Sequence, residues 1–101
     1  MIVHFPFSDL SNSKRRPAVV IRQLPGDNVI LCQVTSRALS DGFAVSLEDV
    51  DFKSGQLTHR SNVRPNRLFT ADRHIVLYRA GTLTQSKIEE IITAVVRVCQ
   101  E

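Results

Sequence analysis

With 101 residues, 43% of them hydrophobic, the chain has room for a single small domain over residues 1–101 and a modest core, so self-association is a natural way to bury more surface. A formal charge of +3 carried by ten Arg and only three Lys leans towards an anionic partner, because the planar guanidinium matches phosphate oxygens and stacks on bases. The composition excludes disordered, collagen-like and low-complexity classes, and without an 18-residue apolar run or a leader pattern the expectation is a soluble, cytoplasmic protein with no membrane contact.

In chain order, Ile2–Phe5 reads as a brief apolar strand stopped by Pro6. Residues 7–16 read as a loop, since Ser8, Asp9, Ser11, Asn12 and Ser13 offer little apolar surface to pack. Pro17–Ile21 is a near-continuous apolar run, the pattern of a well-buried strand. A turn at Leu24–Asn28 leads to a strand at Val29–Val34, forming a hairpin with a loop longer than two residues. Ser40–Gly42 is a further turn before a strand at Phe43–Leu47. Short strands are expected around Ser61–Arg64, Leu68–Thr70 and Ile75–Leu77, with Pro65 as a break. After Gly81 the period changes. Ile88, Ile91, Ile92, Val95 and Cys99 fall at helical spacing and Thr84 suits an N-cap, which predicts a helix over about 85–99. The fold class is mainly β: antiparallel strands in a small barrel or sheet, then one amphipathic C-terminal helix.

Cys32 and Cys99 are isolated in apolar stretches and make neither metal-ligand spacing nor a disulfide framework, so both are expected to be buried free thiols. Charge is unevenly spread. Residues 12–38 carry five bases against one acid and residues 53–79 six against one, whereas 39–52 hold Asp41, Glu48, Asp49 and Asp51 with no base. That pattern suits a basic surface with an acidic flank, for a nucleic acid or an acidic peptide. The junction SNSKRRPAVV sets Lys14, Arg15 and Arg16 between a polar loop and a buried strand. Such cations can be held firmly beneath a polyanion, or be only a solvated charge run at a strand start.

The stretch FPFSDLSNSKRRPAVVI resembles the opening of MazF/PemK-like toxins of type II toxin–antitoxin systems: a first strand into Phe-Pro-Phe, a loop, then Lys-x-Arg-Pro before an apolar strand. The resemblance continues through VILCQVTSR, SNVRPNRLFTADRHIV and AGTL, four blocks in order over nearly the whole chain. Members usually carry Gly-Asp-Ile ahead of the first strand, whereas this chain starts within it at Met1-Ile-Val, which points to either a shortened first strand or a start codon assigned late and puts the edge pairing of that strand in question. The resemblance implies an SH3-like barrel that dimerises and cleaves single-stranded RNA without a metal or other cofactor. The ribose 2′-hydroxyl would attack the adjacent phosphate, which calls for a base, an acid and positive charge for the phosphorane.

Carried onto this sequence, the resemblance implies that Arg16, before Pro17, is catalytic through its charge, that Thr35 is the catalytic hydroxyl at a strand end, and that Arg64 assists in binding or cleavage. Lys14, Arg15, Ser36, Arg67 and Asp9 are the expected substrate contacts, each with an ordinary surface or turn role as its alternative. Where some members have an acidic candidate base two positions after the assisting Arg, this chain has Asn66, which cannot take a proton, and Arg15 stands where some have a His. His59 lies in the second basic block but matches no family position; His4 and His74 flank strands and read as structural. Phe5 and Phe7 either stack bases or pack the core. The implied partners are single-stranded RNA, a second copy of the chain, and an antitoxin whose disordered acidic tail lies in the RNA groove. Two alternatives remain: a gyrase poison of the CcdB kind, which shares the fold, and a non-catalytic RNA- or peptide-binding barrel.

Overall fold

The first strand, β1 (Ile2–Ser8), is hydrogen-bonded on both sides in the computed structural model, which describes residues 1–8, 13–36, 42–57, 61–75 and 78–100, with the backbone alone for 5–8, 13–15 and 78. Its partners are β2 (Ser13–Gln23), from Ile2↔Val19 to Ser8↔Ser13, and β7 (Tyr78–Leu83) at Ile2↔Gly81 and beyond. The first strand, whose edge pairing the sequence left in question, is thus seven residues long and paired on both sides. The remaining strands are β3 (Asn28–Thr35), β4 (Val45–Leu47), β5 (Phe52–Gly55) and β6 (Ser61–Asp72), in one antiparallel sheet of order β4-β6-β3-β2-β1-β7-β5. Twelve residues of straight strand would run about 40 Å. The molecule measures 31 × 30 × 28 Å, shorter along each axis than such a strand, and the sheet curls into a half-barrel. The mainly β fold with a C-terminal helix expected from the sequence is the one that forms.

Side-chain alternation gives the curled sheet two apolar faces. On β3, Cys32 and Val34 pack with Ile2, Val19, Val63 and the helix residue Ile91 in the main core. Val29 and Leu31 face the other way, onto Val3 and Ala18, with Val20 and Phe69 at their margin. β2 reads as continuously apolar because it contributes to both clusters. Burial also pushes the Cys32 thiol up from 9.0 to about 12.

Helix α1 (Gln85–Gln100) begins where Thr84 accepts the Lys87 N–H on its Oγ1 at 3.3 Å and the Ile88 N–H on its carbonyl at 3.1 Å. Its buried stripe is turned from the one expected. Ile91 is fully buried, with Ile88, Ala94 and Val95 against the core, whereas Ile92, Val96 and Cys99 are exposed. Lys87 accounts for the rotation. It sits buried on the core side, its Nζ 3.2 Å from the Ser46 carbonyl, 3.1 Å from Glu90 Oε1 and 3.5 Å from Asp51 Oδ2. Cys99 is thus an exposed thiol and only Cys32 is buried.

Other boundaries move for equally physical reasons. The expected loop over 7–16 is strand through Ser8 and again from Ser13, because a ladder started at Pro17–Ile21 can be extended by backbone bonds alone. Phe43 and Ala44 precede a strand of only Val45–Leu47, and Ile75 closes a 3-10 turn (Arg73–Ile75) instead of opening a strand. Asp27 pins that turn, accepting the Arg73 N–H on its carbonyl at 2.7 Å and pairing with Arg73 Nε at 3.3 Å. Pro65 interrupts pairing without ending β6: the β3–β6 register jumps from Cys32↔Leu68 to Gln33↔Arg64, leaving residues 65–67 as a bulge. Among the described residues no helix is long and apolar enough to cross a membrane.

Candidate active site

The β2–β3 ladder runs Val20↔Leu31, Val19↔Cys32, Ala18↔Gln33, and alternation puts Arg16, two residues before Ala18, on the same sheet face as Gln33 and Thr35. Thr35 faces Asn62 of β6, which in turn faces Ser46 of β4. One step down β3, Gln33 lies between Ala18 and Arg64. Cross-strand partners and residues two apart share a sheet face. Arg16, Thr35, Asn62, Gln33 and Arg64 therefore form one patch, continuous with the smaller apolar cluster and opposite to the face that packs α1. Directly opposed Cα atoms in such a sheet lie ~4.5–5.5 Å apart and diagonal ones ~7–8 Å, within reach of long side chains.

All five side chains are half-buried, and the Nε atoms of Arg16 and Arg64 are fully enclosed. Each guanidinium is thus buried at its neck. The two arginines occupy opposite corners of the patch, with the Thr35 hydroxyl and the Gln33 carboxamide between them. Arginine offers donors only, the hydroxyl and the carboxamides both donate and accept, and none of the five is a carboxylate or imidazole. The arrangement can hold a phosphate diester from two sides and neutralise added negative charge.

The three residues named as catalytic from the sequence come together here. Ser36 follows Thr35 beyond the strand and is exposed; Arg67, like Asn66, is exposed on the β6 bulge outside the ladder. Lys14 and Arg15 lie on β2 in register with Phe7 and Pro6. Asp9 and His59 lie outside the described residues. His4 pairs with Pro17 and Tyr78 on the opposite side of the sheet, its Nδ1 enclosed. His74 lies past the far end of β6, where its N–H and Nδ1 meet Asp72 Oδ1 at 2.8 and 2.7 Å; these hydrogen bonds hold the Asp72 carboxyl below its ordinary range. Gln33 and Asn62 are the members that sequence reading missed. Counting alternation back from Thr35 and Arg64 is the signal that finds them.

Among the described residues no three His, Cys, Asp or Glu side chains converge as a metal site. An open cleft of about 240 Å³ lies elsewhere, between α1 and residues 42–45, where the Arg97 guanidinium bonds the Gly42 carbonyl at 2.9 Å and stands 5.7 Å from the Phe43 ring centroid.

The model of the family described as PemK-like, MazF-like toxins of type II toxin–antitoxin systems matches residues 1–99. No curated protein matches the chain in sequence. Among solved structures, the chain is similar to the Mycobacterium tuberculosis toxin MazF-mt6 at 17% identity, covering 99% of this chain and 97% of that one with a TM-score of 0.76. It is similar also to a mycobacterial endoribonuclease in complex with its cognate antitoxin, at 14% identity over 98% and 90% of the two chains and a TM-score of 0.76. The MazE–MazF structure from Deinococcus radiodurans gives 22% identity, 98% and 91% coverage and a TM-score of 0.71. At these identities the likeness is one of fold.

Proposed function

Since the chain belongs to the family of PemK-like, MazF-like toxins of type II toxin–antitoxin systems, we propose that it is an endoribonuclease that cuts single-stranded RNA and is neutralised by an antitoxin. The observation that carries this reading is the register Ala18↔Gln33↔Arg64, which brings Arg16, two residues before Ala18, to the same sheet face as Thr35 and Arg64. In the proposed reaction the ribose 2′-hydroxyl attacks the neighbouring phosphorus and the bond to the 5′-oxygen breaks. The products are a cyclic phosphate and a free 5′-hydroxyl. Arg16 stabilises the charge that builds on the phosphorane oxygens. Thr35 donates to a non-bridging oxygen or orients the 2′-hydroxyl, and Arg64 grips a neighbouring phosphate. Lys14, Arg15, Ser36, Arg67 and Asp9 extend the contact to flanking nucleotides. Because Asn66 cannot act as a base, proton transfer falls to water or to a residue from outside the patch.

The partner that silences such a site is a disordered acidic segment of the antitoxin lying across the same two arginines. Family membership and the antitoxin complexes of the similar structures support that partner, and a cytoplasmic homodimer is the working assembly. The test is incubation of the purified protein, in EDTA, with a long single-stranded RNA. Cleavage at a short fixed motif, leaving ends that polynucleotide kinase labels without prior phosphatase, is the expected result. A folded sample that binds RNA without cutting would replace this reading with that of a non-catalytic RNA-binding barrel.

A further inference from the structure

The face that carries Arg16, Thr35 and Arg64 holds a side chain for which the proposed chemistry has no use. Gln33 stands two residues before Thr35 on β3, in register with Ala18 on one flank and Arg64 on the other. Along this face β3 changes character: Val29 and Leu31 are 3% and 1% exposed, whereas Gln33 and Thr35 are half-buried. The switch from core to site therefore falls at Gln33. The β6 ladder shifts register at the same step, throwing residues 65–67 into a bulge beside Gln33. Bulges recur next to binding and catalytic sites, where they re-aim a strand.

The patch contains two carboxamides, and their surroundings differ. Asn62, in register with both Thr35 and Ser46, is engaged within the fold. Ala18 brings no polar side-chain atom to Gln33, and among the described residues no side-chain hydrogen bond of Gln33 is formed. A carboxamide presents a donor and an acceptor in one plane, the complement of a nucleobase edge and a poor match for a phosphate, which offers acceptors alone. Single-stranded RNA exposes such edges, and sequence-specific proteins read them this way.

We infer that Gln33 is a specificity-determining residue: its carboxamide hydrogen-bonds the edge of the base next to the phosphate held by Arg16 and Thr35, and so fixes one position of the cleavage motif. The inference rests on the ribonuclease reading above and deepens it. A neutral side chain in the middle of the patch selects among bases, while the arginines at its corners hold the backbone whatever the sequence.

The test compares the wild-type chain with Gln33→Met, which keeps the shape and removes both hydrogen-bonding groups, and with Gln33→Glu, which keeps an acceptor and loses the donor. Each cuts a pool of randomised single-stranded RNA, and the free 5′-hydroxyl ends are sequenced. The readout is the ratio of bases at each position around the cut, which is independent of how fast a variant works. Gln33→Met should relax one motif position by about tenfold or more, and Gln33→Glu should change the preferred base at that same position. Unchanged ratios at every position in both variants would overturn the inference while leaving the nuclease reading intact. If the wild-type chain cuts nothing, the nuclease reading falls and the inference is judged on binding, by fluorescence anisotropy with the four homopolymeric RNA octamers. Gln33→Met must then flatten the ranking of the four affinities, and an unaltered ranking sinks the idea. Thermal unfolding of both variants separates loss of fold from loss of selection.

Discussion

Arg16 and Thr35 sit on successive strands, and their value to a reaction depends on how firmly the sheet holds them. The Nε of Arg16 is enclosed, and the ladder with β1 continues from Arg16 into Pro17 and Ala18. Arg16→Ala should lower the cleavage rate by roughly 10²–10³, the usual cost of removing one preorganised donor to a developing anion. Far-ultraviolet circular dichroism and melting temperature should stay near wild type, since the side chain lies outside both apolar clusters. Arg16→Lys should recover little, because an ammonium cannot reproduce the two-pronged contact. Cleavage by Arg16→Ala at the wild-type rate would remove Arg16 from the site. At this scale the sequence was legible where a motif names the residue, as Lys-Arg-Arg-Pro does for Arg16 and Val-Thr-Ser for Thr35. Gln33 and Asn62 carry no such mark. Their membership depends on which face of a strand they occupy and on the register with β2 and β6, both settled only when the sheet assembles.

Among the elements, α1 was the most legible, since Thr84 and the 3.6-residue period announce it, yet its orientation was not. The apolar positions describe two overlapping stripes, and the sequence gives no reason to seat a lysine in the core. Contacts from elsewhere decide it: Asp51, in a 3-10 turn (Asp49–Asp51), accepts the Thr84 N–H on its carbonyl at 2.8 Å and lies 3.5 Å from Lys87 Nζ, while Ser46 of β4 offers its own carbonyl. Lys87 thereby joins helix, turn and edge strand, and Ser46 is the cross-strand neighbour of Asn62 in the patch. Lys87→Met should cost about 2 kcal/mol of unfolding free energy, because Asp51, whose side chain is 16% exposed, would lose its cation. Adding Asp51→Asn should return part of that loss, and chemical denaturation of the two variants measures both. A double variant no more stable than Lys87→Met would show that the pair is not the source. β5 was illegible for a different reason. Phe52-Lys-Ser-Gly has a single apolar residue and becomes a strand only by pairing with β7, where Gly55 and Gly81 let the backbones approach. A Cβ on Gly55, which also has φ of +74°, would collide with the Ala80 carbonyl oxygen, so only the assembled sheet reveals why glycine is there.

For the whole molecule, charge layout links the proposed substrate to the proposed inhibitor. The small positive net charge understates the field at the patch, since Arg16 and Arg64 share one sheet face while Glu48, Asp49 and Asp51 lie in the segment between the edge strands β4 and β5. An RNA strand held by those two guanidinium groups displaces counterions at each phosphate it pairs, and for single strands each pairing contributes about −0.7 to the slope of log K against log salt. Binding of a non-cleavable single-stranded RNA should therefore weaken with salt at a slope of about −1.4 or steeper, and Arg64→Ala should make it shallower by ~0.7. An acidic peptide that competes for the same arginines should displace the RNA and lose its hold with salt in the same way. Titration from low to high salt with the wild-type chain and the Arg64→Ala variant measures the difference. A slope near zero, or one that Arg64→Ala leaves unchanged, would mean that the polyanion lies elsewhere on the molecule. The two arginines would then be structural, and the shared-groove account of inhibition would fail with them.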